Sequence, residues 1–521
     1  MLPIQAINGS TSKHAFSLDW GRTTTGTHYL TRAGKEYPQK VIVEPGTRNI
    51  YIGGYRYTQP SEETTPGGAS ENHWAQRAFL LKLDQQGNIL WNRELSKDGE
   101  HNNATTNNRW KRYEEFNGIC LHPTTGDIHC VGYTDSQYPD YYNWSRLSGD
   151  CLVAKYNSSG TLQYQKFYGR DKTDAGIGVE WFPLEDEYDD CFSLSDGKFV
   201  ASGGTWNHPG SNSLVTSSGV NRNRLLTCWN TNGTVSWSKW ISVGGTQNND
   251  STNVNSTSGN LGGVDSSNNV YFLASSTGSP SGTRGAFILK FNSSGTLQWQ
   301  KNIPLTFTIN SFTQVWSGLH ATKSGDLYLK SPTGGDDAIL KLNSSGTVQW
   351  LKSFNGTGGN LYSLQTDEEE NLWFHDGAGN AYCVDSSGTP IRNVTITSNT
   401  AYWGFYSDFT VDEGYITMIC RGRILGTQTS SSREETLGVL RAEISGVNNG
   451  SYTHTNANGS TLTVTVSTPS TGSVTNYSNP SISTSSVSVI NYAGNTSTRL
   501  NNGSCTNFTN SSPPYGKTLT V

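Results

Sequence analysis

Short apolar runs separated by polar turns recur along most of this chain, and their spacing repeats. The run Lys341–Trp350 (KLNSSGTVQW) restates Lys290–Trp299 (KFNSSGTLQW) almost residue for residue. Each copy is an apolar run, a turn with Gly three residues after Asn or Asp, and a second alternating run, which predicts an antiparallel hairpin. Further copies lie at Lys82–Trp91, Lys155–Tyr164, Thr227–Trp237 and, more weakly, Cys383–Arg392.

A second hairpin pattern precedes these copies: an apolar strand, a Gly-containing turn and a strand that ends in small residues. Its copies are Val41–Tyr55, Gly118–Tyr133, Cys191–Gly204, Gly262–Ser275, Leu319–Lys330, Leu361–Phe374 and Phe409–Cys420. Two hairpins make a four-stranded unit, which is typical of a propeller blade. The last unit lacks its outer strand, and Phe16–Trp20 carries the matching Leu-x-Trp pattern. We therefore expect an all-β fold, a seven-bladed β-propeller closed by its N-terminal strand, with six or eight blades as alternatives.

The hairpin turns are short, whereas the segments that connect the hairpins are long in the first three units. The interval between successive turn glycines falls from 73 residues (Gly87 to Gly160) to 42 residues (Gly346 to Gly388). Turns and connections fall at opposite ends of antiparallel strands, so we expect the long segments to share one face. Loops on a rigid scaffold commonly carry recognition.

Aromatic side chains with polar neighbours occur in these long segments, and four of them lie within Tyr138–Trp144. Their flat apolar faces suit sugar rings or partner side chains, and nearby Asn, Asp and Arg can read hydroxyls. We expect the cluster to form a binding surface; the alternative is that these aromatics only pin the loops to the propeller. The candidate binding residues are Trp74, Tyr138, Tyr141, Tyr142, Trp144, Trp181, Trp206 and His208.

No catalytic motif is present in the sequence, which contains no G-x-S-x-G, H-E-x-x-H or P-loop. We therefore expect no catalytic residues and no cofactor, with a polysaccharide-acting propeller enzyme as the lesser alternative. The acidic run at 184–190 is a weak metal candidate, because Glu185, Asp186 and Asp189 would offer oxygen ligands in a loop. A solvated loop without metal is the favoured interpretation.

Composition narrows the functional classes further. The 521 residues are 33% hydrophobic and 15% charged, with a net charge of −5. This balance predicts no broad attraction to nucleic acid or to an anionic membrane. No segment has the roughly 18 consecutive apolar residues of a membrane helix. The start, Met1–Ala6, lacks the basic head and apolar core of a secretory signal.

The eight cysteines form no CxxC pair, and most lie in strand patterns. A free thiol in such a position is a small apolar filler of the core. Cys120 and Cys130 flank one predicted turn and are placed to face each other across the hairpin. A disulfide there is the alternative, which synthesis in a reducing cytoplasm disfavours.

Two stretches of the repeat resemble a known family. Asp150–Tyr164 (DCLVAKYNSSGTLQY) and Gly126–Thr134 (GDIHCVGYT) are similar to the bacterial β-propeller repeat often called the SBBP repeat. The resemblance covers residues 14–446. Similar repeats occur in bacterial surface proteins and in structural proteins of phages, notably of cyanobacterial and marine hosts, and the plain Asn-Ser-Ser-Gly-Thr turn is most similar to the phage set. The resemblance is specific for fold and weak for function.

The composition changes near residue 446, after which the chain is rich in Ser, Thr and Asn. Ser460–Val466 alternates as a half-buried strand does. We divide the chain into an N-terminal arm (1–13), the propeller (14–445, its last blade completed by 14–20) and a C-terminal β-rich segment (446–521). That segment is a small β domain, an extension that docks on a neighbouring subunit or forms a homo-oligomer, or an arm packed on its own propeller.

The resemblance, the absence of a signal and the one-sided elaboration favour a phage virion protein, a tail fibre or another appendage, released when the host lyses. Its looped face is expected to bind a host-surface glycan or receptor. Expected partners are other virion proteins and that receptor, without nucleic acid and without membrane insertion. A purely structural capsid-decoration or tail component is one alternative, and a bacterial surface adhesin is another.

Overall fold

A computed structural model describes the strand-forming parts of the chain. The described residues are 15–19, 36–58, 75–97, 114–134, 150–169, 186–205, 223–242, 261–276, 285–304, 308–309, 312–313, 318–330, 338–354, 361–376, 380–398, 403–423, 435–444, 450–455, 461–467, 474–477, 488–491, 495–497 and 503–506. Every regular element in these ranges is a β-strand. No helix there has the length and hydropathy that crossing a membrane requires. The all-β propeller fold that the repeats predict is confirmed.

The strands divide into two compact units. One comprises residues 1–116, 365–471 and 502–521, and the other comprises 117–364 and 472–501. Six sheets are built on four consecutive strands each, and a further sheet has three consecutive strands completed by the N-terminal strand. The same meander, strand after strand, therefore underlies every repeat.

The first unit contains three of these sheets. The first sheet has β2 (Glu36–Val43), β3 (Ile50–Thr58), β4 (Ala75–Leu83) and β5 (Ile89–Lys97). The second has β24 (Leu364–Thr366), β25 (Leu372–His375), β26 (Asn380–Val384) and β27 (Pro390–Ser398). The third has β28 (Trp403–Asp412), β29 (Tyr415–Arg423), β30 (Glu435–Glu443) and β1 (Ala15–Asp19).

The second unit contains four sheets and a two-stranded ribbon. One sheet has β6 (Glu114–Leu121), β7 (Ile128–Thr134), β8 (Asp150–Tyr156) and β9 (Leu162–Gly169). The next has β10 (Asp186–Ser193), β11 (Phe199–Thr205), β12 (Asn223–Trp229) and β13 (Val235–Ser242). The third sheet has β14 (Leu261–Val264), β15 (Val270–Ser276), β16 (Gly285–Phe291) and β17 (Leu297–Pro304). The fourth has β20 (Gly318–Ala321), β21 (Leu327–Lys330), β22 (Ala338–Leu342) and β23 (Val348–Phe354). The ribbon is β18 (Thr308–Ile309) and β19 (Phe312–Thr313).

Both ends of the chain supply strands to propeller sheets. β1 pairs antiparallel with β30, with Ala15 opposite Ala442. The Leu-x-Trp pattern predicts this addition of the N-terminal strand to the last sheet. The C-terminal strands are β31 (Gly450–Thr455), β32 (Thr461–Ser467), β33 (Val474–Tyr477), β34 (Ser488–Asn491), β35 (Asn495–Ser497) and β36 (Gly503–Thr506). We call these six strands the C-terminal arm.

The C-terminal arm adds outer strands to five sheets, and β31 pairs with β32. β32 pairs with β27, β33 with β23, β34 with β13, β35 with β9 and β36 with β5. The described strands β32 to β36 of the C-terminal arm thus extend sheets of the propeller. Covering an outer edge strand removes a template for pairing with other chains.

The repeated turn owes its shape to one amide side chain and one glycine. Asn343 Oδ1 accepts hydrogen bonds from the backbone N–H of Ser345 at 3.1 Å and of Thr347 at 2.9 Å. The N–H of Gly346 donates to the carbonyl oxygen of Asn343, and Gly346 takes a φ of 78°. A side chain in this conformation is strained, so the turn selects glycine. The same bonds recur around Asn157 and Asp385.

The lysine and the aromatic of each repeat belong to a contact inside one sheet. Lys341 Nζ lies 3.0 Å from Asp326 Oδ2 and 5.4 Å from the ring centroid of Tyr328. The Tyr328 and Trp350 rings are 5.9 Å apart. Equivalent sets are Glu44, Tyr51, Lys82 and Trp91, and Asp265, Tyr271, Lys290 and Trp299. These contacts within the sheet explain why the lysine and the aromatic residue recur in the repeat.

Apolar side chains pack between neighbouring sheets of each unit. In the second unit, Leu273 and Ile288 of one sheet join Leu329 and Leu340 of the next in one buried cluster. In the first unit, Ile52 and Leu81 pack with Ile419 and Val439 in the same way. The sheets thus bury both faces, which leaves the strand ends as the places where side chains meet solvent.

Candidate functional site

The eight aromatic and histidine candidates lie outside the described residues. These are Trp74, Tyr138, Tyr141, Tyr142, Trp144, Trp181, Trp206 and His208. The structure does describe the strand ends from which their segments start and to which they return. The tight turns lie at the other ends of the same strands, for example at Glu44–Asn49 and Asp84–Asn88. We call the ends that carry the long segments the loop ends of the sheets.

At the loop end of the β2–β5 sheet, two tyrosines form a stacked pair. Tyr37 and Tyr55 are opposite each other in the register of β2 and β3. Their ring centroids are 4.8 Å apart and the rings are within 12° of parallel. Both side chains are half-buried, so the pair presents a flat aromatic edge close to the segment 59–74.

The opposite face of the same loop end carries an ionic group. Glu94 of β5 is buried and receives Arg56 through two contacts, Nη2 to Oε2 at 2.5 Å and Nε to Oε1 at 3.1 Å. Arg77 Nη1 lies 3.4 Å from Glu94 Oε1. Arg56 and Arg77 are opposite each other in the register of β3 and β4. The two guanidinium groups thus converge on one carboxylate, and we call these three residues the arginine pair site.

A second polar group lies at the loop ends of the β6–β9 and β10–β13 sheets. Asp150 and Asp186 are the first residues of β8 and β10, and both are buried. Arg224, near the start of β12, is buried with Nη1 3.5 Å from Asp189 Oδ2. Burial raises the pKa of Asp189, and the Arg224 charge opposes that shift. Burial likewise raises the pKa of the adjacent Cys151 thiol. The negative charges of Asp186 and Asp150 raise that pKa further.

The weak metal candidate changes character in the structure. The acidic run was expected in a loop, but Asp186–Ser193 is strand β10, with Tyr188 and Cys191 buried in the core. Asp189 is paired with an arginine and Glu185 lies outside the described residues. In the described part of the chain, no group of three His, Cys, Asp or Glu side chains is arranged to hold a metal ion.

Cys120 and Cys130, the two ends of the disulfide alternative, form no disulfide. The same holds for Cys151, Cys191, Cys228 and Cys383. All six are buried. Burial raises the pKa of Cys191, and its neighbour Cys120 adds to the shift, so the Cys191 thiol stays protonated at neutral pH.

The repeat pattern in the sequence does not indicate the three residues of the arginine pair site, which are Arg56, Arg77 and Glu94. One signal for them is present in the sequence. The position three residues after the repeat aromatic is Glu94 in the first copy, but it is Phe167, Trp240, Asn302 and Ser353 in the others. The first copy is therefore the one copy of these five with a charged residue there.

Comparisons with known proteins find solved structures with low sequence identity and indicate no function. No family of proteins matches the chain, and no curated protein matches it. The WD40 β-propeller domain of Doa1 is similar at 10% identity, over 80% of this chain and 97% of that chain, with a TM-score of 0.40. A Pyrococcus horikoshii acylaminoacyl peptidase is similar at 8% identity, over 82% of this chain and 56% of that chain, with a TM-score of 0.40.

A gluconolactonase from Xanthomonas campestris is similar at 10% identity, over 79% of this chain and 88% of that chain, with a TM-score of 0.32. At such low identity the likeness concerns architecture alone, and no activity of these proteins is carried over.

Proposed function

We propose that the protein is a phage virion component, a tail fibre or another appendage, whose propeller displays its loop ends to a glycan on the host surface. The observation that carries the proposal is the asymmetry between the two ends of the sheets. The tight turns have four to six residues at one end, such as Asn157–Thr161 and Glu44–Asn49. At the other end, segments such as 59–74, 135–149 and 206–222 are about three times longer, and 135–149 contains four aromatic residues.

The chemistry of the described loop ends supports a polar ligand. The stacked Tyr37 and Tyr55 rings offer an apolar face of the kind that packs on sugars. Arg56 and Arg77 supply charged hydrogen-bond donors on the other face of the same sheet. Since the chain carries a net charge of −5, these donors are a local feature and not part of a broadly basic surface.

The construction of the scaffold supports a role outside cells. Outer strands contributed by the C-terminal arm cover five sheets, which protects their edges from pairing and from proteolytic attack. Virion proteins must persist without chaperones, so an edge-covered propeller suits that setting. Partners of the remaining surface would be other virion proteins.

A triple substitution tests the proposal. Replacing Tyr141, Tyr142 and Trp144 with alanine should abolish adsorption of the purified protein to host cells while its unfolding temperature stays close to that of the wild type. The matched control is Ile391→Ser, which changes an exposed apolar residue beside a tight turn. Unchanged adsorption by the folded triple variant would contradict the receptor-binding role. It would favour a purely structural virion component.

A further inference from the structure

At the arginine pair site, two guanidinium groups contact one buried carboxylate. Glu94 is 3% exposed, and a buried carboxylate requires a partner. Arg56 meets that requirement alone, because its guanidinium engages both carboxylate oxygens in the bidentate geometry that is strongest for this pair. Arg77 then adds a second cation to a carboxylate that is already neutralised.

Arg77 is also the more accessible of the two arginines. Its side chain is 31% exposed, against 20% for Arg56. Its described contact with Glu94 uses one nitrogen, Nη1, at a distance of 3.4 Å. A guanidinium carries five N–H donors in a planar fork, so most of the donors of Arg77 are not directed at Glu94.

The location of the pair matches a ligand-binding role. Arg56 lies two residues before the end of β3 and Arg77 two residues after the start of β4. The two strands are joined by the segment 59–74, one of the long segments of the loop ends. The pair therefore stands where that segment leaves and re-enters the sheet, beside the proposed recognition surface.

We propose that Arg56 and Arg77, oriented by Glu94, bind the acidic group of a sugar, a carboxylate or a sulfate, at the loop end of the β2–β5 sheet. This rests on the proposed function, because it names the chemical class of the glycan. The fork of Arg77 suits the two oxygens of a carboxylate or a sulfate, and Glu94 fixes its direction. A neutral sugar could accept only ordinary hydrogen bonds from these arginines, whereas an acidic sugar adds a charge-assisted contact.

The experiment is a printed array of neutral, uronate-bearing, sialate-bearing and sulfate-bearing glycans, probed with the full chain. Wild type is expected to bind a subset of the acidic glycans, with binding that weakens at high salt. Arg77→Gln keeps most of the side-chain length and removes the charge. It should bind the same glycans roughly 10- to 100-fold more weakly, as expected for the loss of a hydrogen bond to a charged group.

Arg48→Gln is the matched control. Arg48 is similarly exposed, at 32%, and is paired with Glu413 at 2.6 Å, but it lies at a tight turn. Its substitution should leave the array pattern unchanged. The salt dependence of wild-type binding gives a second readout that does not depend on how either variant folds.

The outcomes separate this inference from the proposed function. Equal binding of acidic glycans by wild type and Arg77→Gln overturns the inference. Wild-type binding confined to neutral glycans also overturns it and leaves glycan recognition standing. Absence of binding to every glycan overturns both. Binding to uronate-bearing or sialate-bearing glycans would identify the acidic group as a carboxylate. Binding to sulfate-bearing glycans would identify it as a sulfate.

Discussion

Trp237 in one sheet and Ser293 in the next are joined by a hydrogen bond, the indole N–H donating to the carbonyl oxygen at 2.9 Å. The same indole lies against Gly295, where an added Cβ would sit 2.6 Å from Trp237 Cδ2. Tyr164 stands in the same relation to Gly233. The aromatic of one repeat thus supports the turn of the following repeat, which explains why aromatic and glycine recur together.

Replacing Gly295 with alanine should destabilise the propeller through two separate effects. The residue has a φ of +76°, which strains any side chain, and the new methyl group would collide with the Trp237 ring. Left-handed strain costs about 1–3 kcal/mol, and the collision adds to it. Gly46→Ala is the matched control, since Gly46 has a φ of +80° and nothing within 4 Å of an added Cβ. In urea unfolding, Gly295→Ala should show the larger loss; equal losses would contradict the role of the indole.

The hydrogen bond of Trp237 can be separated from its packing. Trp237→Phe keeps an aromatic ring and removes the N–H donor, so we expect a loss of about 1 kcal/mol in the free energy of unfolding. Tyr164→Phe is the companion variant, because the buried Tyr164 hydroxyl makes no hydrogen bond in the described structure. It should be neutral or stabilising. A stability loss in Tyr164→Phe that matches Trp237→Phe would argue against the hydrogen bond as the cause.

Acid should weaken the second unit through His129. Burial, with a smaller contribution from Lys155, lowers the pKa of His129 from 6.5 to about 3. Between these values the unfolded chain binds a proton that the folded protein does not. The free energy of unfolding should therefore fall as pH decreases through this window, by at most about 1.4 kcal/mol per pH unit from this group.

His129→Phe tests this linkage. The His129 ring stacks on Phe199 with centroids 4.2 Å apart, so a phenyl ring keeps the contact and cannot be protonated. Urea midpoints measured from pH 7 to pH 4 should show a shallower loss in the variant than in the wild type. His122→Phe, at a less buried histidine, should change the slope less. Parallel slopes for wild type and His129→Phe would show that another group is responsible.

The C-terminal arm should protect the outer edges of the sheets it joins. Ile490 of β34 is opposite Trp240 of β13. Ile490→Pro fixes φ at about −65°, away from the extended backbone of an antiparallel strand, and should therefore disturb the pairing of β34 with β13. Hydrogen exchange at Lys239–Ser242 should accelerate, whereas Ala493→Pro, between β34 and β35, should have a smaller effect. Unchanged protection in Ile490→Pro would mean that the arm is not what shields β13.

Local turn chemistry made the fold predictable from sequence. Asn343 and Gly346 specify a tight turn through bonds between near neighbours, so the pattern alone was sufficient to place the hairpins. The first part of β10, Asp186–Asp190, was expected in a loop because the five acidic residues of 184–190 suggest solvent, whereas Asp186 and Tyr188 are buried and a bulge follows Tyr188.

The parts that could not be predicted depend on distant partners. The Ser- and Thr-rich strands of the C-terminal arm alternate like any half-buried strand, and nothing in Val474–Tyr477 indicates that β23 is its partner. Arg56, Arg77 and Glu94 come from three different strands of one sheet. Their convergence follows from strand register, which their spacing along the chain does not reveal.

The most direct test of the account is a binding assay of the isolated protein against whole cells, including cyanobacteria, and against their purified surface polysaccharides. Soluble products should be analysed in the same tubes. The account predicts saturable binding that leaves the polysaccharide intact. Release of sugar fragments would contradict it in favour of a polysaccharide-degrading enzyme, and absence of binding to every cell and polysaccharide would contradict the recognition role itself.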